Sequence, residues 1–135
     1  MISRADFIEA VLLCVGTPVV HMGRVPGHGL DCVGLVWAAC DLCGLTLPRT
    51  PSYGPLPNGA TMTQGLELFA DLCASIEDAH VLQVYMGKEP RHAVVPVAFD
   101  GDRIEVVHAW GKHQQVRRAR LTERVHAAWR MRGVE

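Results

Sequence analysis

Apolar residues recur at helical spacing through the first half of the chain and in strand-like runs through the second, the change falling near residue 80. Ser3 followed by Asp6 has the form of a helix start, and Phe7, Ile8, Val11, Leu12 and Val15 then mark one helical face that ends near Gly16. Thr17-Pro18 opens a segment with Gly23, Pro26, Gly27 and Gly29, which predicts loop as far as Leu30. From Cys32 to Cys43 the chain is apolar on nearly every side, with Gly44 at the position of a left-handed cap. A buried central helix is predicted there. Four prolines and two glycines between Pro48 and Gly59 predict an irregular loop or flap, and Leu66, Leu68, Phe69 and Leu72 predict a further helix over Thr61 to Ser75.

Beyond residue 80, β-branched and apolar runs predict strands at Val81 to Met86, Ala93 to Phe99 and Arg103 to Ala109, with Asp100-Gly101 as a hairpin signal between the last two. Gln114 to Arg118 is a candidate further strand. Thr122 to Arg132, with Val125, Ala128 and Trp129 at helical spacing, is read as a closing helix. Helices first and antiparallel strands later predict one α+β domain over residues 1–135.

Composition narrows the function. Apolar residues make up 49% and charged residues 20%, so the chain is expected to build a core. Thirteen basic against fourteen acidic residues, a net charge of -1, leave no positive field for a phosphate backbone, which argues against nucleic acid as a partner. No apolar run reaches the roughly 20 residues of a membrane helix. Arg4, Asp6 and Glu9 interrupt Met1 to Val15, unlike a signal peptide, so the expected location as encoded is cytoplasmic. An odd count of five cysteines predicts free thiols rather than a disulfide framework.

Cys32 is the reactive candidate among them. It follows Asp31 where a glycine-rich loop turns into the central helix, and a helix N-terminus favours the thiolate. Cys40 and Cys43 form a Cys-x-x-Cys pair inside the apolar helix without a second pair at zinc spacing, so they are read as packing, as are Cys14 and Cys73. No metal or cofactor is expected. A thiol nucleophile needs a base and the base an orienting partner. His92 opens one strand and His108 closes the opposing one, so the hairpin brings their ends together. A three-residue turn would set His108 opposite Val94 and diagonal to His92, roughly 7–8 Å apart at the backbone. A two-residue turn would need a compensating bulge, and Pro96, which cannot donate to the ladder, marks either such a bulge or an edge. His21 and His28 lie in the loop before Cys32, while His80, His113 and His126 read as surface or strand-end residues.

These pieces resemble the NlpC family of papain-like cell-wall cysteine peptidases, and within it the variant found in phage tail-assembly proteins. The resemblance runs through Gly16-Thr17-Pro18, Asp31-Cys32-Val33-Gly34-Leu35-Val36, Leu47-Pro48-Arg49, His92-Ala93-Val94-Val95 and Val107-His108-Ala109. It implies a papain-like fold with the cysteine helix packed on an antiparallel sheet that carries the histidines. It also implies Cys32 as nucleophile, His92 as general base and His108 as the residue that orients it. Beside the resemblance, Asp31, His21 and Val33, which flank Cys32 or precede it in the loop, are read as the substrate-binding candidates. The implied activity is hydrolysis of amide bonds in peptidoglycan stem peptides, or a related amide. The implied partners include phage tail proteins, with a virion-associated location.

The chain departs from the family pattern at Val19, where a tyrosine is usual, at Val33 in place of serine, at Val94 in place of glycine, and around Ala79-His80. These departures support an alternative reading, a catalytically weak or inactive module of the same fold used in tail assembly or wall binding. A zinc domain built on cysteine and histidine is the third reading.

Overall fold

A computed structural model describes residues 1–49, 52–54 and 58–135. The first helix, α1 (Arg4–Leu13), starts where Ser3 accepts a hydrogen bond from the Asp6 amide, and it buries Phe7, Ala10 and Val11. The second, α2 (Cys32–Leu42), is capped by Asp31 and buries every residue from Val33 to Cys40, as its unbroken apolar sequence requires. Between them the expected loop contains a two-stranded ribbon of β1 (Arg24–Val25) and β2 (Gly29–Leu30). The third helix, α3 (Gly59–Glu67), is capped by Asn58, whose side chain accepts from the Thr61 amide at 2.8 Å.

The predicted helix over 61–75 is therefore corrected at its C-terminal end. It stops at Glu67, and Ala70–Cys73 forms strand β3. Strands β4 (Val81–Met86), β5 (Glu89–Asp100), β6 (Arg103–Ala109), β7 (Val116–Arg120) and β8 (Val125–Met131) complete a six-stranded antiparallel sheet in the order β3-β8-β4-β5-β6-β7. The predicted closing helix over 122–132 is β8. It lies between β3 and β4 and satisfies the backbone groups of both. Its register shifts around His126, where one extra residue is accommodated opposite β4. That bulge breaks the two-residue alternation and gives Val125, Ala128 and Trp129 their helix-like spacing.

The main core joins the helices to one face of the sheet through Phe7, Leu35, Trp37, Leu66, Phe69, Val81, Ala93 and Trp129. Trp37 meets Phe69 edge to face at 5.9 Å. A smaller cluster of Leu82, Val84, Val94, Val106 and Ala128 covers the other face, which is why consecutive strand residues are buried. The fold class expected from the sequence is thus found: among the described residues, an α+β arrangement of three helices against an antiparallel sheet. Helix α2 packs on β1 and β2 at its start and on β5 and β6 along its length. Among the described residues no helix is long and apolar enough to cross a membrane. The flap expected between Pro48 and Gly59 falls partly on residues 50–51 and 55–57, which lie outside the described residues.

Candidate active site

Cys32 is presented by the way Asp31 ends the loop. One carboxylate oxygen, Oδ1, accepts from the Gly34 amide and from Arg24 Nη1, each at 2.8 Å. The other, Oδ2, accepts from the Met22 amide at 3.0 Å and from the Tyr53 hydroxyl. Arg24 also donates to the Tyr53 oxygen at 2.8 Å and to the Gly23 carbonyl at 2.8 Å, and its guanidinium lies over Trp37 at 4.7 Å. Met22 takes a left-handed backbone with φ 63°, which turns its amide toward Asp31. The cap is therefore a four-donor site closed by a cation, and it fixes the first turn of α2.

Tyr53, which belongs to the proline-rich segment, closes this cap, and burial together with its bond to Asp31 holds the phenol well above its usual pKa. It stays a donor at any working pH. Tyr53→Phe removes one hydrogen bond to a charged group and leaves the other three donors. We expect a loss of about 1–2 kcal/mol in urea unfolding, with Arg24→Ala costing more because it leaves the carboxylate without its cation.

The histidines meet through the two-residue alternative. Asp100 pairs with Arg103 across a tight turn, and the register shifts by one residue at Val97, next to Pro96. Val95 then faces Val107, so the continuing register sets His108 opposite Val94 and diagonal to His92. His92 Nε2 lies 3.0 Å from His108 Nδ1, with ring centroids 5.2 Å apart. Both rings are buried. One nitrogen of this contact must donate and the other accept. With the proton on His92 Nε2, its Nδ1 keeps a free lone pair and His108 is the acceptor. His108 is flanked on its other side by Trp110 and His113, at 6.2 and 5.9 Å between centroids, and by the charge of Glu123.

Burial dominates the electrostatics. It pushes the Cys32 thiol up to about 11, helped by the Asp31 carboxylate and opposed by the backbone amides of Ala93, Val33 and Cys32 itself. The helix N-terminus expected to favour the thiolate is present in the Val33 and Cys32 amides, and desolvation outweighs it. Burial, with the neighbouring His108, brings His92 down to about 3. His108 is also lowered by burial, against an upward pull from Glu123. The resting site holds a neutral thiol and neutral imidazoles, and no hydrogen bond joins Cys32 to His92 among the described residues.

The same burial makes stability depend on pH. Between about 6.5 and 3 the unfolded chain binds a proton at position 92 that the fold does not. Stability therefore falls on acidification through that window, by up to about 1.4 kcal/mol per pH unit for this histidine alone. His80, lowered by burial in the same direction, adds to the slope. Urea unfolding at pH 7.5 and 5.5 checks this, and an unchanged midpoint would contradict it.

Cys32 and His92 line one cleft of about 820 Å³, walled also by Val19, His21, Tyr53, Arg91 and Trp110. His21 reaches this wall through a hydrogen bond from its ring to the Tyr53 carbonyl at 3.0 Å. Asp31 lines it too, with its oxygens occupied by the cap. Val33 lies in the core at 7% exposure and off the cleft wall, while His28 is exposed in the ribbon turn. His80, expected at the surface, is buried, with Nδ1 accepting from the Met131 amide at 2.9 Å and Nε2 facing the Glu135 carbonyl at 2.9 Å. Cys14 and Cys40 are buried, and no cluster of three metal-binding side chains occurs among the described residues. Arg24 and Tyr53 were not legible as site residues. The only hint of them was an aspartate beside the candidate nucleophile, which needs a counter-ion when half-buried.

Comparison of the sequence with protein-family models and with curated proteins finds no match. Comparison of the fold with solved structures does. A Staphylococcus aureus subsp. aureus Mu50 protein, described as similar to a lipoprotein of the NLP/P60 family, superposes with a TM-score of 0.61 at 19% identity. The match covers 95% of this chain and 41% of that one. A structure named Ly7917 superposes with a TM-score of 0.58 at 14% identity, over 95% of this chain and 62% of that one. The fold is NlpC/P60-like, and the chain spans less than two thirds of either neighbour.

Proposed function

We propose that the protein is a cysteine hydrolase that cleaves amide bonds in peptidoglycan stem peptides or a related amide, with Cys32 as nucleophile, His92 as general base and His108 as the positioning residue. The observation that carries this reading is the 3.0 Å contact between His92 and His108, beside a helix-N-terminal cysteine in the same cleft. Likeness to an NLP/P60 structure supports the fold it requires.

In this reading a bound substrate closes the gap between thiol and ring. His92 Nδ1 takes the Cys32 proton as sulfur attacks the carbonyl carbon, so charge separates only when it is used. The Cys32 amide helps to hold the oxyanion. The imidazolium then protonates the departing amine, leaving a thioester, and His92 activates the water that hydrolyses it. His108 accepts from His92 Nε2 throughout and fixes the ring plane. The low affinity of His108 for a proton keeps that acceptor available.

A second reading, a non-catalytic module for assembly with phage tail proteins or for wall binding, is favoured by the raised thiol and by Val19 on the cleft wall. Muropeptides containing γ-D-glutamyl-diaminopimelate, incubated with the parent and with Cys32→Ala and read by mass spectrometry, separate the two. Hydrolysis of one amide by the parent alone supports the hydrolase. A parent that leaves the whole panel intact, with Cys32 no more readily alkylated than Cys43, supports the module.

A further inference from the structure

The strand that carries His92 also carries a bulge immediately before it. Val84 pairs with His92 and Met86 with Glu89, so Pro90 and Arg91 together face the single residue Tyr85. An extra residue in one strand re-aims the side chains around it. This explains how the adjacent residues Arg91 and His92, which would point to opposite faces of a regular strand, both line the cleft with Cys32.

The bulge is braced on every side. The Pro90 carbonyl accepts from the buried Gln83 amide nitrogen at 2.9 Å, and Gln83 is itself held by the Trp129 indole at 3.1 Å. The Glu89 carboxylate accepts from the Gly59 amide at 3.1 Å. A Cβ at Gly59 would stand 2.6 Å from the Pro90 ring, so α3 packs directly on the bulge. Across the turn, a Cβ at Gly87 would come only within 4.0 Å of Arg91 Nη2, which leaves the guanidinium room over that turn.

Among the described residues Arg91 makes no ion pair and no side-chain hydrogen bond, although it is half-buried. Of the other charges of the cleft, Asp31 is neutralised by Arg24, whereas Glu123, among the described residues, has no cation and accepts only from the Thr122 amide at 3.2 Å. A guanidinium withdrawn from water without a carboxylate partner is a fork of donors waiting for one.

We propose that Arg91 is a specificity-determining residue that binds a carboxylate carried by the substrate close to the scissile amide. The proposal rests on the hydrolase reading above and adds to it the residue that reads the charge beside the scissile amide. Amidation of that carboxylate removes the charge and one acceptor oxygen, leaving Arg91 facing a neutral group.

The test uses a γ-D-glutamyl-diaminopimelyl peptide, the same peptide with the glutamyl α-carboxylate amidated, and the same peptide with its terminal carboxylate amidated. Cleavage is measured with the parent, Arg91→Gln and Arg91→Lys. Binding is measured with Cys32→Ala and with Cys32→Ala/Arg91→Gln. We expect the free acid to be preferred by roughly tenfold or more over one of the amides, chiefly through KM, and Arg91→Gln to reduce that ratio to near one. Arg91→Lys retains part of it. Which amide loses affinity identifies the carboxylate.

The two readings fail separately. Cleavage that needs Cys32, with an acid preference absent or surviving in Arg91→Gln, overturns the role of Arg91 alone. Arg91-dependent binding of the acid without any cleavage by the parent overturns the hydrolase alone. No binding and no cleavage overturns both.

Discussion

If the protein is the proposed hydrolase, replacing Cys32 with alanine is expected to lower kcat/KM on the cleaved amide by about 10⁴-fold or more, because that reading leaves no other thiol in the cleft to form the thioester. His92→Gln approaches the same loss, since at rest the thiol is pushed up to about 11 and cannot supply its own thiolate near neutrality. The double variant is little worse than either single one, as expected of groups that act as a unit. His108 acts through His92 and behaves differently. His108→Ala leaves His92 Nε2 without its acceptor and costs on the order of 10²-fold, mainly in kcat. His108→Gln, whose side-chain oxygen can accept in place of Nδ1, recovers part of it, which a merely space-filling role would not do. The pH profile carries a further signature. The proposed mechanism needs neutral His92, and its depressed affinity for protons leaves it neutral far into acid, so any acid limb is expected to follow substrate groups or unfolding instead. An alanine variant at position 32 that turns over at the parent rate ends the assignment.

The largest stability effect is expected from Gly34→Ala. On an exposed helix that change would gain up to about 1 kcal/mol. Here a Cβ would stand 2.1 Å from the Gly23 carbonyl oxygen, 2.8 Å from Arg24 Nη1 and 2.9 Å from Asp31 Oδ1. The first of these is backbone and cannot swing aside freely, because Gly23 packs so closely on the ribbon that a Cβ there would stand 2.5 Å from the Gly29 carbonyl. Relief requires the ribbon of β1 and β2 to move off α2, which breaks the contacts that Arg24 and Met22 make with Asp31. A loss of roughly 3 kcal/mol or more in urea unfolding follows, with Cys32 displaced and turnover lost as well. Gly111→Ala is the control, since nothing stands within 4 Å of its Cβ position. Equal stability of Gly34→Ala and the parent would mean that the ribbon does not seat on α2 as described.

The first two helices and most strands were legible because their signals lie within a few residues. Ser3 caps its own helix, and Asp31 receives the Gly34 amide three positions on. The strand over Val81–Met86 and that over Arg103–Ala109 lie where their β-branched runs put them. Residues 125–131 were illegible for the opposite reason. Their spacing fits a helix, and only two unfilled edges far away in sequence make them a strand. The same holds for 70–73, which pairs with that strand.

At the site, the junction at Asp31-Cys32 was legible in the chain, and so were the two turns that put His92 and His108 on one face, the two-residue one only with a bulge, which the structure supplies at Val97. Parity needs only local turn and bulge chemistry, so it is encoded where it acts. Packing sets the charge state of those residues, the closure of the cap by Arg24 and Tyr53, and the place of Arg91 on the cleft wall. Each of these depends on how much water is removed and which distant group replaces it. Desolvation and long-range partners are properties of the packed chain, and no window along the sequence contains them.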